Sequence, residues 1–170
     1  MNLADTIRNI PDFPKQGILF KDITTLLKDK NAFRQAVDEM ASKFKDKNID
    51  KVVAVEARGF IFGGAIAHAI GAGFVPVRKK GKLPAKTSFV TYDLEYGSDT
   101  LEIHHDAIVE GEKVLIVDDL LATGGTVKAV TDLVKQLKGE IAGIIFLIEL
   151  TDLKGRDKLK EYPVEALIKY

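Results

Sequence analysis

Near-continuous aliphatic stretches punctuate the chain at residues 52–57, 73–77, 114–117 and 141–150. Runs of this length, rich in β-branched residues, read as parallel strands covered on both faces. Between them the apolar period changes to helical. Phe33, Val37, Met40, Ala41 and Phe44 lie on one stripe and predict a helix over about 30–47. Residues 61–70 form a second, small-residue helix, and Val127, Val130, Leu133, Val134 and Leu137 mark a third that ends near Gly139. Strands alternating with helices imply right-handed parallel crossovers. Two segments, roughly 87–94 and 99–104, alternate at period two instead, and predict an antiparallel hairpin inserted into that alternation. A short polar helix at about 153–160 and a strand at about 164–168 are expected last. Upstream, residues 2–9 are expected to form a short helix stopped near Pro11 and Pro14. Residues 16–25 show no clean period and read as a loop. The expected class is α/β, a mainly parallel sheet flanked by helices with an antiparallel hairpin. With no repeat or linker, residues 1–170 form one domain.

Composition adds exclusions. With 46% apolar and 29% charged residues the chain reads as an ordinary globule, long enough to bury roughly 70% of its unfolded surface. The 25 basic and 25 acidic side chains balance, which argues against a general nucleic-acid or membrane-surface binder. Cysteine is absent, so neither disulfides nor thiolate metal sites are available. No signal peptide or membrane span is read, and the cytoplasm is the expected location.

Candidate chemistry concentrates in residues 114–126, V-L-I-V-D-D-L-L-A-T-G-G-T. Asp118 and Asp119 stand where the strand is expected to end, and carboxylates there are costly unless something binds them. Ala122, Thr123, Gly124, Gly125 and Thr126 then lead into a helix. Glycines and hydroxyls at a helix start offer unpaired N–H groups and a dipole to a phosphate. A ligand carrying both a diol and a phosphate satisfies both halves. Two other phosphate-binding readings fail on context. Gly125 is followed by Thr126 and Val127 rather than the lysine of a P-loop, and the glycines at 71 and 73 precede a strand and lead to Pro76. His68 is expected on a solvent face, His104 and His105 follow the hairpin, and none is given a catalytic role.

Residues 114–126 resemble the signature of the type I phosphoribosyltransferases. Further stretches narrow the resemblance to the adenine phosphoribosyltransferase family: P-D-F-P-K-Q-G-I-L-F-K-D-I-T at 11–24, E-A-R-G-F-I-F-G at 56–63, R-K-K-G-K-L-P at 78–84, L-E-Y-G-S-D-T-L-E-I-H at 94–104 and L-I-E-L-T-D-L-K-G-R at 147–156. They span nearly the whole chain in the family's order. The resemblance implies transfer of ribose 5-phosphate from 5-phosphoribosyl 1-pyrophosphate (PRPP) to adenine, giving AMP and pyrophosphate. It also implies a magnesium ion carried by the pyrophosphate and water with no direct protein ligand, and a homodimer.

Under that resemblance Asp118 and Asp119 accept hydrogen bonds from the ribose hydroxyls, and residues 122–126 hold the 5-phosphate. Arg58, with Ala57 and Gly59, faces the pyrophosphate in a loop expected to carry a non-proline cis peptide near Glu56 and Ala57. Arg78, Lys79 and Lys82 are a second source of cations, reaching a ligand in the same or a partner subunit. Phe20 has two readings, a ring stacked on the purine or a core phenylalanine. The backbones of Leu19 and Lys21 would read the purine's amino edge. Lys21 stands where similar enzymes usually carry arginine, which loses a planar fork, and Gly64 stands where proline is common. Glu95 and Tyr96 lie at the tip of a hood (about 83–106), Glu95 as a proton carrier for the purine N7 or as an exposed turn residue. The base-binding segment is expected at about 10–28. Two alternatives stay open: a PRPP- or purine-sensing regulator on the same fold, and a phosphoribosyltransferase for another base.

Overall fold

A computed structural model describes residues 1–94 and 96–170. The chain begins with a 3-10 turn at Leu3–Thr6, and two short strands, β1 (Arg8–Pro11) and β2 (Leu19–Asp22), then pair antiparallel as a sheet of their own. Helices α1 (Thr24–Leu27) and α2 (Lys30–Ser42) lead into β3 (Lys51–Val55), α3 (Arg58–Ile70) and β4 (Gly73–Lys79). The hairpin β5 (Thr87–Asp93) and β6 (Ser98–His104) follows. Then come β7 (Lys113–Leu121), α4 (Gly125–Gln136), β8 (Glu140–Glu149), 3-10 turns at Thr151–Leu153 and Gly155–Leu159, and β9 (Val164–Lys169).

Seven strands form the main sheet in the order β5-β6-β4-β3-β7-β8-β9. The β4, β3, β7, β8 and β9 neighbours pair in parallel, while the hairpin joins antiparallel on the β4 edge. The aliphatic strands do alternate, but between two buried faces. Val52, Ala54, Leu115 and Val117 pack with α2 and α3, and Val53, Val55, Val114 and Ile116 pack with α4 and the hairpin. Both faces being covered is why these strands read as unbroken apolar runs.

Several expected elements differ in detail. Residues 2–9 make a single 3-10 turn and then a strand, because Arg8 to Pro11 find a ladder opposite Asp22 to Leu19. The aperiodic stretch 16–25 contributes β2 and the start of α1; β2 is four residues long and half-buried from Phe20 to Asp22, so it displays no alternation. Helix α2 ends at Ser42, with turns continuing the chain past buried Phe44. The last polar helix is replaced by two 3-10 turns on either side of Lys154, whose φ is 53°. Strand β7 does not end at the aspartates. It runs on to Leu121 because β8 is long enough to keep pairing, Asp118 opposite Phe146 and Leu120 opposite Ile148.

Candidate active site

Neighbouring parallel strands β3 and β7 run in register, Val53 beside Ile116 and Ala54 beside Val117, so their C-terminal ends open on one edge of the sheet. Ligand crevices in open α/β sheets lie at that edge. Here it holds a cavity of about 270 Å³ lined by residues 55–58, Lys79 and residues 118–127. After β3 the Glu56-Ala57 peptide is cis and α3 starts at once with Arg58. After β7 the chain turns through residues 122–124 into α4.

The two aspartates in the cavity have different partners. The Asp119 amide donates to Asp118 Oδ1 at 2.8 Å. Burial, and next the neighbouring Asp119 charge, push the Asp118 carboxyl well above its usual range. Asp119 is 6% exposed, and its Oδ2 accepts from Arg58 Nε at 2.5 Å. Burial works against the Arg58 charge, but the Asp119 hydrogen bond and charge outweigh it and hold the guanidinium more firmly protonated. A Cβ at Gly59 would come within 2.9 Å of Asp118 Oδ1, so a side chain there would push the carboxylate out of its present position.

Glu56 collects the cations of the basic loop. Its carboxylate accepts from Arg78 Nε at 2.6 Å, Lys82 Nζ at 2.7 Å and the Lys79 amide at 3.3 Å. Desolvation is the largest influence on Glu56 and acts upward, yet these three donors together hold its pKa at about 2. Lys79 Nζ in turn pairs with Asp99 on β6.

The turn before α4 is shaped from beneath. Gly124 sits at φ 86°, and a Cβ there would fall 2.7 Å from the Gly155 carbonyl oxygen. On the other side a Cβ at Gly155 would fall 2.4 Å from the Ala122 carbonyl oxygen. Neither position admits a side chain. Lys158 Nζ donates to the Thr123 carbonyl at 2.9 Å, and the hydroxyls of Tyr92 on β5 and Thr126 lie 3.4 Å apart. The first N–H groups of α4 have no partner within the helix, so the loop presents donors to an anion.

Carboxylates beside a glycine loop at the mouth of a parallel sheet match a known domain. The profile of the phosphoribosyl transferase domain fits residues 24–168. The chain belongs to the phosphoribosyl transferase family. It is 64% identical to the adenine phosphoribosyltransferase of Clostridium kluyveri and 65% identical to that of Clostridium perfringens, in each case over 100% of this chain and 99% of the relative. Among solved structures, adenine phosphoribosyltransferase from Thermoanaerobacter pseudethanolicus superposes with a TM-score of 0.96 at 55% identity, covering 99% of this chain and 98% of that one. The Saccharomyces cerevisiae enzyme, solved with an imino-altritol bisphosphate and adenine, gives 0.91 at 43% identity over 96% and 95% of the two chains.

As a phosphoribosyl transferase, the molecule gathers most of the residues expected from its sequence into one cavity: Ala57, Arg58, Lys79, Asp118, Asp119 and Ala122, Thr123, Gly124, Gly125 and Thr126 all line it. Arg58 stands on the first turn of α3 rather than in a loop, and its charge is engaged by Asp119. Lys82 does not line the cavity, although its ammonium pairs with Glu56, which does. Leu19, Phe20 and Lys21 lie on β2, outside the cavity lining. Phe20 meets Phe13 edge-on at 5.1 Å, and Lys21 Nζ donates to Asn9 at 2.7 Å while sitting 3.8 Å above the Tyr170 ring. Tyr96 is 84% exposed. Glu95 lies outside the described residues. His68 is exposed, as expected. Sequence reasoning missed Glu56, Tyr92, Gly155 and Lys158 as parts of this region. Glu56 and Gly155 fall within the family-like stretches at 56–63 and 147–156, while Tyr92 and Lys158 lie outside all of them.

Proposed function

We propose that the chain catalyses transfer of the 5-phosphoribosyl group from PRPP to adenine, forming AMP and pyrophosphate, a purine-salvage reaction. The observation that carries this reading is the single cavity that joins paired aspartates, a phosphate-shaped loop and an arginine, in a chain alike over its full length to adenine phosphoribosyltransferases. In the reaction the C1–oxygen bond breaks and its electron pair leaves with pyrophosphate. The purine N9 lone pair forms the new bond to C1, and the proton leaves from N7.

In this reading Asp118 and Asp119 accept hydrogen bonds from the two ribose hydroxyls, and their charge stabilises a ribose that becomes cation-like as the bond breaks. Backbone N–H groups at 123–126, with the Thr123 and Thr126 hydroxyls, take the 5-phosphate. Arg58 exchanges Asp119 for the departing pyrophosphate, an exchange helped by its half-exposed side chain. Ala57, Gly59, Lys79 and Lys82 complete the pyrophosphate end. Leu19, Phe20 and Lys21 present the base, Glu95 carries the N7 proton, and Tyr96 belongs to the hood that excludes water.

Magnesium fits this site as an ion brought by the donor. The cavity offers hard carboxylate oxygens at Asp118 and Asp119, while no group of three His, Asp or Glu side chains with metal-binding placement occurs among the described residues. Bound to the pyrophosphate oxygens and water, the ion would neutralise the leaving group. A homodimer and a cytoplasmic location complete the proposal; among the described residues no helix is long and apolar enough to cross a membrane.

Pyrophosphate release from PRPP and magnesium, measured with adenine, hypoxanthine, guanine, xanthine and orotate in turn, tests the reading. Adenine is expected to be the preferred acceptor, with Glu95→Gln lowering kcat far more than it raises the KM for PRPP. Turnover of another base without adenine would replace the acceptor, and PRPP binding without any turnover would make the protein a sensor.

A further inference from the structure

The Gly155–Leu159 turn lies against the phosphate loop at Ala122 and Gly124. We infer that Lys158, carried by the Gly155–Leu159 turn, is a positioning residue for the 5-phosphate: it pins the Thr123 carbonyl and thereby aims the next amide at the phosphate. This rests on the reading of residues 122–126 as the phosphate loop.

A peptide unit is planar and trans, so its C=O and N–H point in opposite directions. The Thr123 carbonyl is held on the outer side by Lys158 Nζ at 2.9 Å. The N–H of the same peptide unit, that of Gly124, is therefore turned the other way, toward the cavity that Thr123 and Gly124 line. A cation on the carbonyl also polarises the peptide and strengthens its N–H as a donor.

Two further contacts keep Lys158 in place. The Gly155 backbone is wedged between Ala122 and Gly124: a Cβ on Gly155 would fall 2.4 Å from the Ala122 carbonyl oxygen, and one on Gly124 would fall 2.7 Å from the Gly155 carbonyl oxygen. Arg156 ties the turn to the sheet, donating through Nε and Nη2 to the two oxygens of buried Glu149 at 2.7 and 2.8 Å and through Nη1 to the Val164 carbonyl at 2.7 Å. Lysine 158 itself is exposed and bears no packing load, so its substitution separates positioning from folding.

Calorimetric titration of the full chain with ribose 5-phosphate and with AMP tests the inference, with thermal melting as the control for folding. Lys158→Met is expected to weaken both ligands about fivefold, the equivalent of one hydrogen bond, with an unchanged Tm, and to raise the KM for PRPP more than it lowers kcat. Lys158→Arg, which retains a donor, is expected to recover most of the affinity. Wild-type affinity for ribose 5-phosphate in Lys158→Met would overturn the inference, as would equal losses in the Met and Arg variants. Because ribose 5-phosphate lacks a base, its binding reports on the loop even where adenine turnover fails, so the two readings fall separately.

Discussion

Asp118 accepts the amide of its own neighbour, lies against Gly59 at the start of α3, and shares its surroundings with a second carboxylate. Burial and that neighbour raise its folded pKa above the unfolded 3.8. An acid with a raised folded pKa favours folding while protonated, and that contribution is lost as pH rises from about 4 through the folded value. At neutral pH, therefore, the buried carboxyl at 118 costs stability that it does not cost in acid. Asp118→Asn is expected to melt higher than the wild type at pH 7 by a few degrees (about 2–4 °C per kcal/mol for a domain of this size), with the gap closing toward pH 3, while turnover collapses. Melting curves across pH check this, and a lower Tm at pH 7 would refute it. The aspartate pair and its glycine loop were legible because their chemistry is contiguous in the chain. Tyr92 and Lys158 were not, because their partners stand 34 and 35 residues away, and no local pattern encodes such a contact.

Helix α2 shows how local signals make an element. Asp29 stands at its N-cap with extended backbone and accepts from the amides of Asn31 and Ala32 at 2.8 and 3.1 Å, while Ala32, Ala36, Val37, Met40 and Ala41 bury one face. Replacing Asp29 by Ala is expected to destabilise the protein by about 1 kcal/mol, read as a lower midpoint in urea with an unchanged slope; an unaltered midpoint would refute the cap's contribution. Elements with such signals, or with aliphatic runs, were readable. The segments at 2–9 and 153–160 were not, because a single turn of helix has little stability of its own. Pairing with β2 decides the first, and Gly155 pressed against Ala122 decides the second. The length of β7 was hidden for the same reason: its last residues are strand only because β8 continues alongside.

At the scale of the molecule, Glu56 joins the end of β3 to the basic loop after β4, and Lys79 continues the chain of charge to β6 in the hairpin. Its folded pKa of about 2 lies below the usual 4.5. A depressed carboxylate stabilises the fold above its unfolded pKa, and that contribution disappears as pH falls from about 5 toward 2. Glu56→Gln is therefore expected to lower the Tm at pH 7, with the difference from the wild type shrinking across that window. A difference independent of pH would show that Glu56 acts through shape alone. The parallel order of the sheet and its hairpin were foreseeable from alternation of run types, whereas this three-strand charge linkage was not.

The small sheet of β1 and β2 stands apart from the seven-stranded one, and Leu19, Phe20 and Lys21 ride on it. In the proposed reading, the residues for the sugar and its phosphates line the ends of the core strands and the turns that follow them, while the segment for the purine is a two-stranded sheet flanked by the buried Ile7 and Ile23. In that reading, the choice of acceptor and the grip on the donor therefore sit on different sheets. Laboratory diversification confined to residues 8–22 can search for enzymes that ribosylate other heterocycles while the donor cavity and the folding core keep their native residues.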